Sequence, residues 1–445
     1  MDKEQTTIKF NKHDFLMFSI DNVITAQTQL LTFRFKENHD VEEIREAMRY
    51  MFSIYPKLRS VVEPTLFSYR FRILDDNSRE LEVLFNDAFR VVRNMQYNSK
   101  EYIEYRRNLI NEPFSLEQGL PIKIRYIPDD PTPVLLLSMH HIACDGVGWF
   151  HMENSLLKYL NGKHPPEIPI DNPSLLPALL NKPYYTAPMQ LYRSFKIFRD
   201  SQRKNKGHVI IPASSRPTDF FGPVGVHQHF LSHDLKKLKS KSKEIGYSIN
   251  VLHLTALTMA LSRGPGKDKG NVVGIMVSMD LRTNFEEKKP VFGNYVVEFM
   301  VRTPKKYWDN PKEILHTIDE QLKLNMQRVK NKEIVFPLFV DKLFTLVGKK
   351  NYARGARQVK KKGLLQTSCA FSTLGNIDFI NSHGTKAQVC ETMSIVPQHC
   401  LFVTSSSLDG KTNTNVSYPE DEFAHDDILE FIKRYEQAMG ELLIL

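Results

Sequence analysis

Between His164 and Pro188 the chain carries seven prolines, in HPPEIPIDNPSLLPALLNKPYYTAP. No regular helix or central strand tolerates that density, because each proline fixes φ and removes a backbone donor. The segment reads as a connection between two lobes. It parts the 445 residues into stretches of domain size, 1–175 and 176–445.

Both stretches alternate strand and helix patterns. In the first, Leu31, Phe33 and Phe35 alternate with Thr32, Arg34 and Lys36, the period of a half-buried strand. Asp40 and Glu43 have capping-box spacing ahead of Val41, Ile44, Met48, Met51 and Tyr55, and Pro56 stops that helix. Further strands are expected in PTLFSYRFRIL, LEVLF, LPIKIRYI and PVLLLSM, and a helix in WFHMENSLLKYLNG, closing on Asn161-Gly162. In the second stretch, YSINVLHLTALTMALSRG predicts a buried helix capped by Ser248, and NVVGIMVSMDLR a buried strand. LFVTSSSLDGKTNTNVSY predicts a hairpin turning at Asp409-Gly410, and DDILEFIKRYEQAMGELL a terminal amphipathic helix. The fold class is α/β, with two lobes of similar plan and no short-period repeat.

Composition excludes several classes. The four cysteines, Cys144, Cys369, Cys390 and Cys400, show no CxxC or framework spacing, so neither a disulfide scaffold nor a structural zinc site is indicated. MDKEQTTIKFNKHDF lacks the apolar core of a signal peptide, and no apolar run reaches the roughly 18 residues a membrane span requires. A soluble, cytoplasmic protein is expected. The net charge of +9 favours anionic partners and concentrates in KKLKSKSK (236–243) and GKKNYARGARQVKKKG (348–363). No nucleic-acid-binding pattern accompanies these runs. Solvated faces explain both, and a phosphorylated cofactor, an acidic carrier protein or a membrane surface would suit them too.

The chemistry-bearing stretch is SMHHIACDGVG, 138–148, directly after the apolar run VLLL. Successive strand residues point to opposite faces, so His140 and His141 enter one cavity only if the strand has ended. Adjacent histidines with Cys144 and Asp145 make poor tetrahedral spacing, and nothing marks Cys144 as an activated thiol. A single accessible histidine suits proton abstraction near neutral pH. Asp145 would brace the loop, and Gly146 would leave room for substrate and permit an unusual backbone angle. Equally open on these residues alone is a buried histidine bonded to backbone, with Asp145 capping the next helix.

His140-His141-Ile142-Ala143-Cys144-Asp145-Gly146 resembles the HHxxxDG signature of the superfamily that holds nonribosomal-peptide condensation domains, chloramphenicol acetyltransferase and CoA-dependent acyltransferases. Tyr55-Pro56-Lys57-Leu58-Arg59 is similar to the family's HPxLR segment, and EPFSLEQGLPIKIRYI to its PFDL…GPLLR stretch. VSMDLR followed by FGNYV is similar to the R…GN region, FSTLGNI to the SNLG region, and NVSYPEDEF to the closing strand and helix. The likeness to BAHD acyltransferases is poorer, since DFGWG has no counterpart. In wax synthases the PLW position corresponds here to Gly-Leu-Pro, 119–121. No GG(D/H)S carrier motif occurs, so a free-standing enzyme is expected.

The resemblance implies two chloramphenicol-acetyltransferase-like lobes forming a V around a central tunnel, with donor and acceptor entering from opposite mouths. It implies His141 as general base, His140, Asp145 and Gly146 as supporting residues, and Arg282 as the ionic partner of Asp145. Trp149, Ser372, Thr373 and Asn376 are substrate-binding or oxyanion candidates. No metal and no tightly bound cofactor is implied; acyl-CoA or a phosphopantetheinyl thioester would be co-substrate. The expected reaction transfers that acyl group to the hydroxyl of a small-molecule acceptor, in natural-product or lipid biosynthesis. Two alternatives share these residues: an amide-forming condensation enzyme on carrier-bound substrates, docked through an acidic carrier, and a non-catalytic protein that binds in the tunnel.

Overall fold

A computed structural model describes residues 6–66, 68–164, 169–216, 218, 222–286, 289–362 and 366–445. Phe67 of the PTLFSYRFRIL strand, residues 165–168 of the proline-rich connection and Gly363, which closes the second basic run, lie outside the described residues.

Two mixed sheets organise the chain. The first runs, edge to edge, Val389–Ile395, Thr28–Phe35, Val134–His140, Ile122–Ile127, Phe89–Val91. The second runs Val296–Pro304, Val272–Asp280, Cys369–Asn376, Phe402–Leu408, Lys411–Pro419, Val224–Phe230. In the first sheet Thr28 to Arg34 pair antiparallel with His140 to Val134, which places the motif strand at the centre. Thr28–Phe35 is covered on both faces: Thr32 is buried along with Leu31, Phe33 and Phe35, so the strand is not half-buried as its alternation suggests. The cause is the helix Lys100–Asn111, whose Tyr102, Leu109 and Ile110 pack with Leu30 on the second face, while the strand Val389–Ile395 pairs antiparallel along its edge from the far half of the sequence. That visiting strand also bonds the second sheet's neighbourhood, accepting Thr404 Oγ1 on Ser394 O at 2.7 Å and Asn413 Nδ2 on Thr392 O at 3.0 Å.

Helices close each sheet by burying one stripe. Val41–Ile54 buries Ile44, Ala47, Met48 and Met51 against the first sheet. Asp40 stands at its N-cap without a side-chain cap bond; Glu43 turns instead to His39 at 3.0 Å and Lys386 at 2.6 Å, so the capping box does not form. LEVLF is helical, within Arg79–Ala88: Ser78 caps it through Leu81 N–H, and Leu81, Phe85 and Ala88 form its buried face. The cap and the i, i+4, i+7 spacing outweigh the β-branched look of the five-residue run.

In the second lobe Ile249–Ser262, capped by Ser248, is buried nearly all round between His425–Leu443, Pro311–Lys330 and the sheet. Such enclosure is what an all-apolar helix requires. The hairpin turns at Asp409-Gly410, both with positive φ (49° and 77°). The connection holds short elements at Ile170–Asp171 and Leu175–Leu179 and then a long helix, Ala187–Lys204, that the proline count masks. Of the basic runs, 236–243 lies on Leu235–Ile245, anchored by buried Leu235 and Leu238, while Lys349–Lys361 buries none of its residues. Among the described residues no single helix is long and apolar enough to cross a membrane.

Candidate active site

The motif strand ends at the first histidine, and there the two rings part. His140, fully buried, accepts the Ile142 N–H on Nδ1 at 3.1 Å, which leaves its proton on Nε2, 3.5 Å from Asp21 Oδ2. Both nitrogens are thus turned inward, and His140 holds the loop.

His141 follows in the turn, half-buried on the wall of a cavity of about 1460 Å³ lined from both lobes. Its Nδ1 lies 2.9 Å from Asn294 Oδ1. Asn294 Nδ2 donates to the carbonyls of His141 at 2.8 Å and Ile142 at 3.3 Å. Only an amide nitrogen can serve two carbonyls, so Oδ1 faces the ring and Nδ1 must carry the proton. The lone pair is then on Nε2, which has no hydrogen bond among the described residues. Burial holds the imidazole below its ordinary 6.5, against smaller opposing effects of hydrogen bonding and Asp145, so at neutral pH the lone pair is free.

Asp145 does two jobs at once. It caps the helix Gly146–Leu160, its Oδ1 accepting Val147 and Gly148 N–H at 3.1 Å each, while Oδ2 accepts Tyr295 N–H at 2.7 Å. It also receives Arg282 bidentately, Nη2 to Oδ1 at 2.8 Å and Nη1 to Oδ2 at 3.0 Å. Arg282 in turn donates to Asp280 Oδ1, Val291 O and Gly293 O. The carboxylate is saturated with donors and clamps the two lobes together.

Gly146 lies on the cavity wall with ordinary φ, so the unusual backbone angle expected there is absent; its contribution is space, the nearest atom to a Cβ being Leu374 Cδ2 at 4.0 Å. Gly148, two residues on, is the tight one: a Cβ would stand 2.6 Å from Cys144 Cβ. Burial pushes the Cys144 thiol well up, leaving it unreactive. Among the described residues no three His, Cys, Asp or Glu side chains converge as metal ligands.

Of the other candidates, Ser372 and Thr373 line the cavity. Trp149 does not: it shares the core face of its helix with Met152 and Leu156 and is 4% exposed. Asn376 stands exposed at a strand end, its Oδ1 accepting Asp378 N–H at 3.0 Å, and does not reach the cavity.

Two wall residues escaped sequence reasoning. Asn294 lies within FGNYV, but its partner is 153 positions away. His13, on the helix Lys12–Ile20, is driven well below 6.5 by burial and then by Lys12 and His141. That helix is fixed from beneath: Asp14 meets Lys57, from the YPKLR segment, at 3.1 Å with neither side chain exposed.

Residues 24–173 match the family model described as the condensation domain. The fold recurs in the TRI3 trichothecene 15-O-acetyltransferase of Fusarium sporotrichioides (12% identity, 98% of this chain and 96% of that one, TM-score 0.74). It recurs also in the first condensation domain of the calcium-dependent antibiotic synthetase in complex with a substrate analogue (12%, 99% and 97%, TM-score 0.72). A third is the starter condensation domain of rhizomide synthetase RzmA, in complex with C8-CoA and Leu-SNAC (12%, 99% and 95%, TM-score 0.68). By fold the chain is two chloramphenicol-acetyltransferase-like lobes, as in these structures.

Proposed function

We propose that the chain is an acyltransferase that moves an acyl group from a thioester of CoA or of a carrier protein to an acceptor hydroxyl, with His141 as general base. The observation that carries this is the tautomer set by Asn294, which leaves the Nε2 lone pair of a cavity-wall histidine unengaged. Nε2 takes the proton of the acceptor hydroxyl as its oxygen attacks the thioester carbonyl carbon. The tetrahedral oxyanion collapses, the C–S bond breaks, and the thiolate recovers the proton from His141. Among the hydroxyls that line the cavity, Ser372 and Thr373 are the candidates to hold the oxyanion. His140, Asp145, Gly146 and Arg282 hold the loop and leave it open.

Residues 1–175 and 176–445 serve as the two lobes in this reading, with Val389–Ile395 crossing back into the first sheet. The cavity would be a tunnel entered from two mouths, and the protein would work in the cytoplasm. The neighbour bound to C8-CoA supports a thioester donor, and the O-acetyltransferase neighbour supports an ester product. The condensation-domain match favours a second reading, amide formation on carrier-bound substrates docked through the basic helix Lys349–Lys361. Mass spectrometry of products from a panel of acyl-CoA and carrier thioesters with alcohols and amines separates the two. Esters support the first reading; amides from carrier-bound acids replace it with the second.

A further inference from the structure

The floor of the cavity is the second sheet, and its register lays polar side chains in a row. Ser278 pairs with Glu298, Ser372 with Thr404, and Thr404 with Asn415. Val277 pairs with Phe371, which brings Ser278 and Ser372 into step between those pairs. The row Glu298, Ser278, Ser372, Thr404, Asn415 therefore crosses five adjacent strands, about 19 Å at the ordinary strand spacing. All five residues line the cavity. Beside the row lies an apolar cluster of Met276, Ala370, Cys400 and Phe402.

Two members of this row lack partners. Asn415, 2% exposed, has a buried Oδ1 with no hydrogen bond among the described residues. Glu298 is the more telling, because the other cavity carboxylates are engaged: Asp145 and Asp280 by Arg282, Asp341 by Lys12, Glu320 by His316, Glu333 by Asn331. Glu298 forms no ion pair or hydrogen bond among the described residues. Arg302, four residues along the strand, is not paired with it. Glu298 is the exposed residue of its strand and lines the cavity, so its carboxylate stands open to a cation bound there.

We propose that Glu298 and the polar row form a subsite for a ligand bearing a protonated amine, with Glu298 taking the ammonium and the Ser278, Ser372, Thr404 and Asn415 groups taking flanking hydroxyl or amide groups. Glu298 follows Asn294, the partner of His141, by four residues of sequence, a reach of at most about 13 Å. On the acyl-transfer reading, on which this inference rests, the acceptor carries its amine remote from the hydroxyl that His141 deprotonates.

The test is calorimetric binding of octylammonium and of octan-1-ol at neutral pH, to wild type and Glu298→Gln. The subsite predicts that wild type prefers the ammonium by about 10- to 100-fold, the range for one charge-assisted hydrogen bond. Glu298→Gln should abolish that preference and leave octanol binding unchanged. No preference in wild type, or a preference that survives in Glu298→Gln, overturns the proposal. If Glu298→Gln binds neither ligand, Glu298→Asp decides: a retained ammonium preference supports the subsite and its loss overturns it. A separate assay of acyl transfer by wild type, with acyl thioesters and alcohols, keeps the two readings apart. Ammonium preference without acyl transfer would sink the acyltransferase reading alone, and transfer without the preference would sink the subsite alone.

Discussion

Asn294 holds His141 in a single tautomer from the opposite lobe: its Oδ1 stands 2.9 Å from His141 Nδ1 while its Nδ2 is committed to two carbonyls. The base is therefore complete only when the lobes are docked. Asn294→Ala frees the ring to take either tautomer, and kcat should fall by about 10- to 100-fold, the range for loss of an orienting partner. KM should hardly move, since the residue acts through His141. Steady-state kinetics with unchanged kcat would show that another group orients the ring.

The Asp145–Arg282 pair joins the same lobes, with side chains 2% and 9% exposed. Asp145→Ala leaves the guanidinium with Asp280 and the Val291 and Gly293 carbonyls, and strips an acceptor from three backbone N–H groups. Removal of one partner of a buried pair costs about 3 to 5 kcal/mol. Denaturant melts of Asp145→Ala, Arg282→Met and the double variant should show strong non-additivity. Costs that simply add would deny the pair its bracing role.

The two glycines of the loop should respond differently to one methyl group. Gly148→Ala drives a Cβ to 2.6 Å from Cys144 Cβ and should destabilise by about 1 to 3 kcal/mol through overpacking. Gly146→Ala meets nothing closer than 4.0 Å and should melt as wild type does, although it narrows the cavity. Equal melting of the two variants would contradict the packing seen here.

His253, 2% exposed within its apolar helix, is held down to about 4 by burial. Above pH 6.5 both folded and unfolded states carry it neutral. As pH falls the unfolded state binds the proton first, so stability is lost from about 6.5 downward and the loss levels off near 4. The slope from this one group is about 1.4 kcal/mol per pH unit. His253→Gln should flatten the acid side of the stability profile by that slope; an unchanged profile would mean that His253 is protonated in the fold.

The strands and helices with strong local patterns were legible: the apolar run to His140, the capped helix after Ser248, the Asp409-Gly410 hairpin. What local pattern could not carry was the return of Val389–Ile395 to the first sheet, a pairing decided by partners more than 350 residues apart. LEVLF was misread because five residues fit a strand or one helical turn and a half, and the deciding signal was the cap at Ser78. At the site, the motif gave the loop, but the face of each side chain was set by tertiary packing. Trp149 follows the motif yet falls on the core face of its helix, and His13 has no pattern at all in NKHDF to announce it.

The most direct test of the account is the pH dependence of kcat/KM for acyl transfer by wild type and His141→Ala. Neutral His141 is the active form and burial lowers its pKa, so the wild-type rate should fall on the acid side with an apparent pKa below 6.5. In His141→Ala the rate should drop by about 100- to 10,000-fold and that acid limb should vanish. A variant that stays within a few-fold of wild type, or keeps the same acid limb, would contradict His141 as the base.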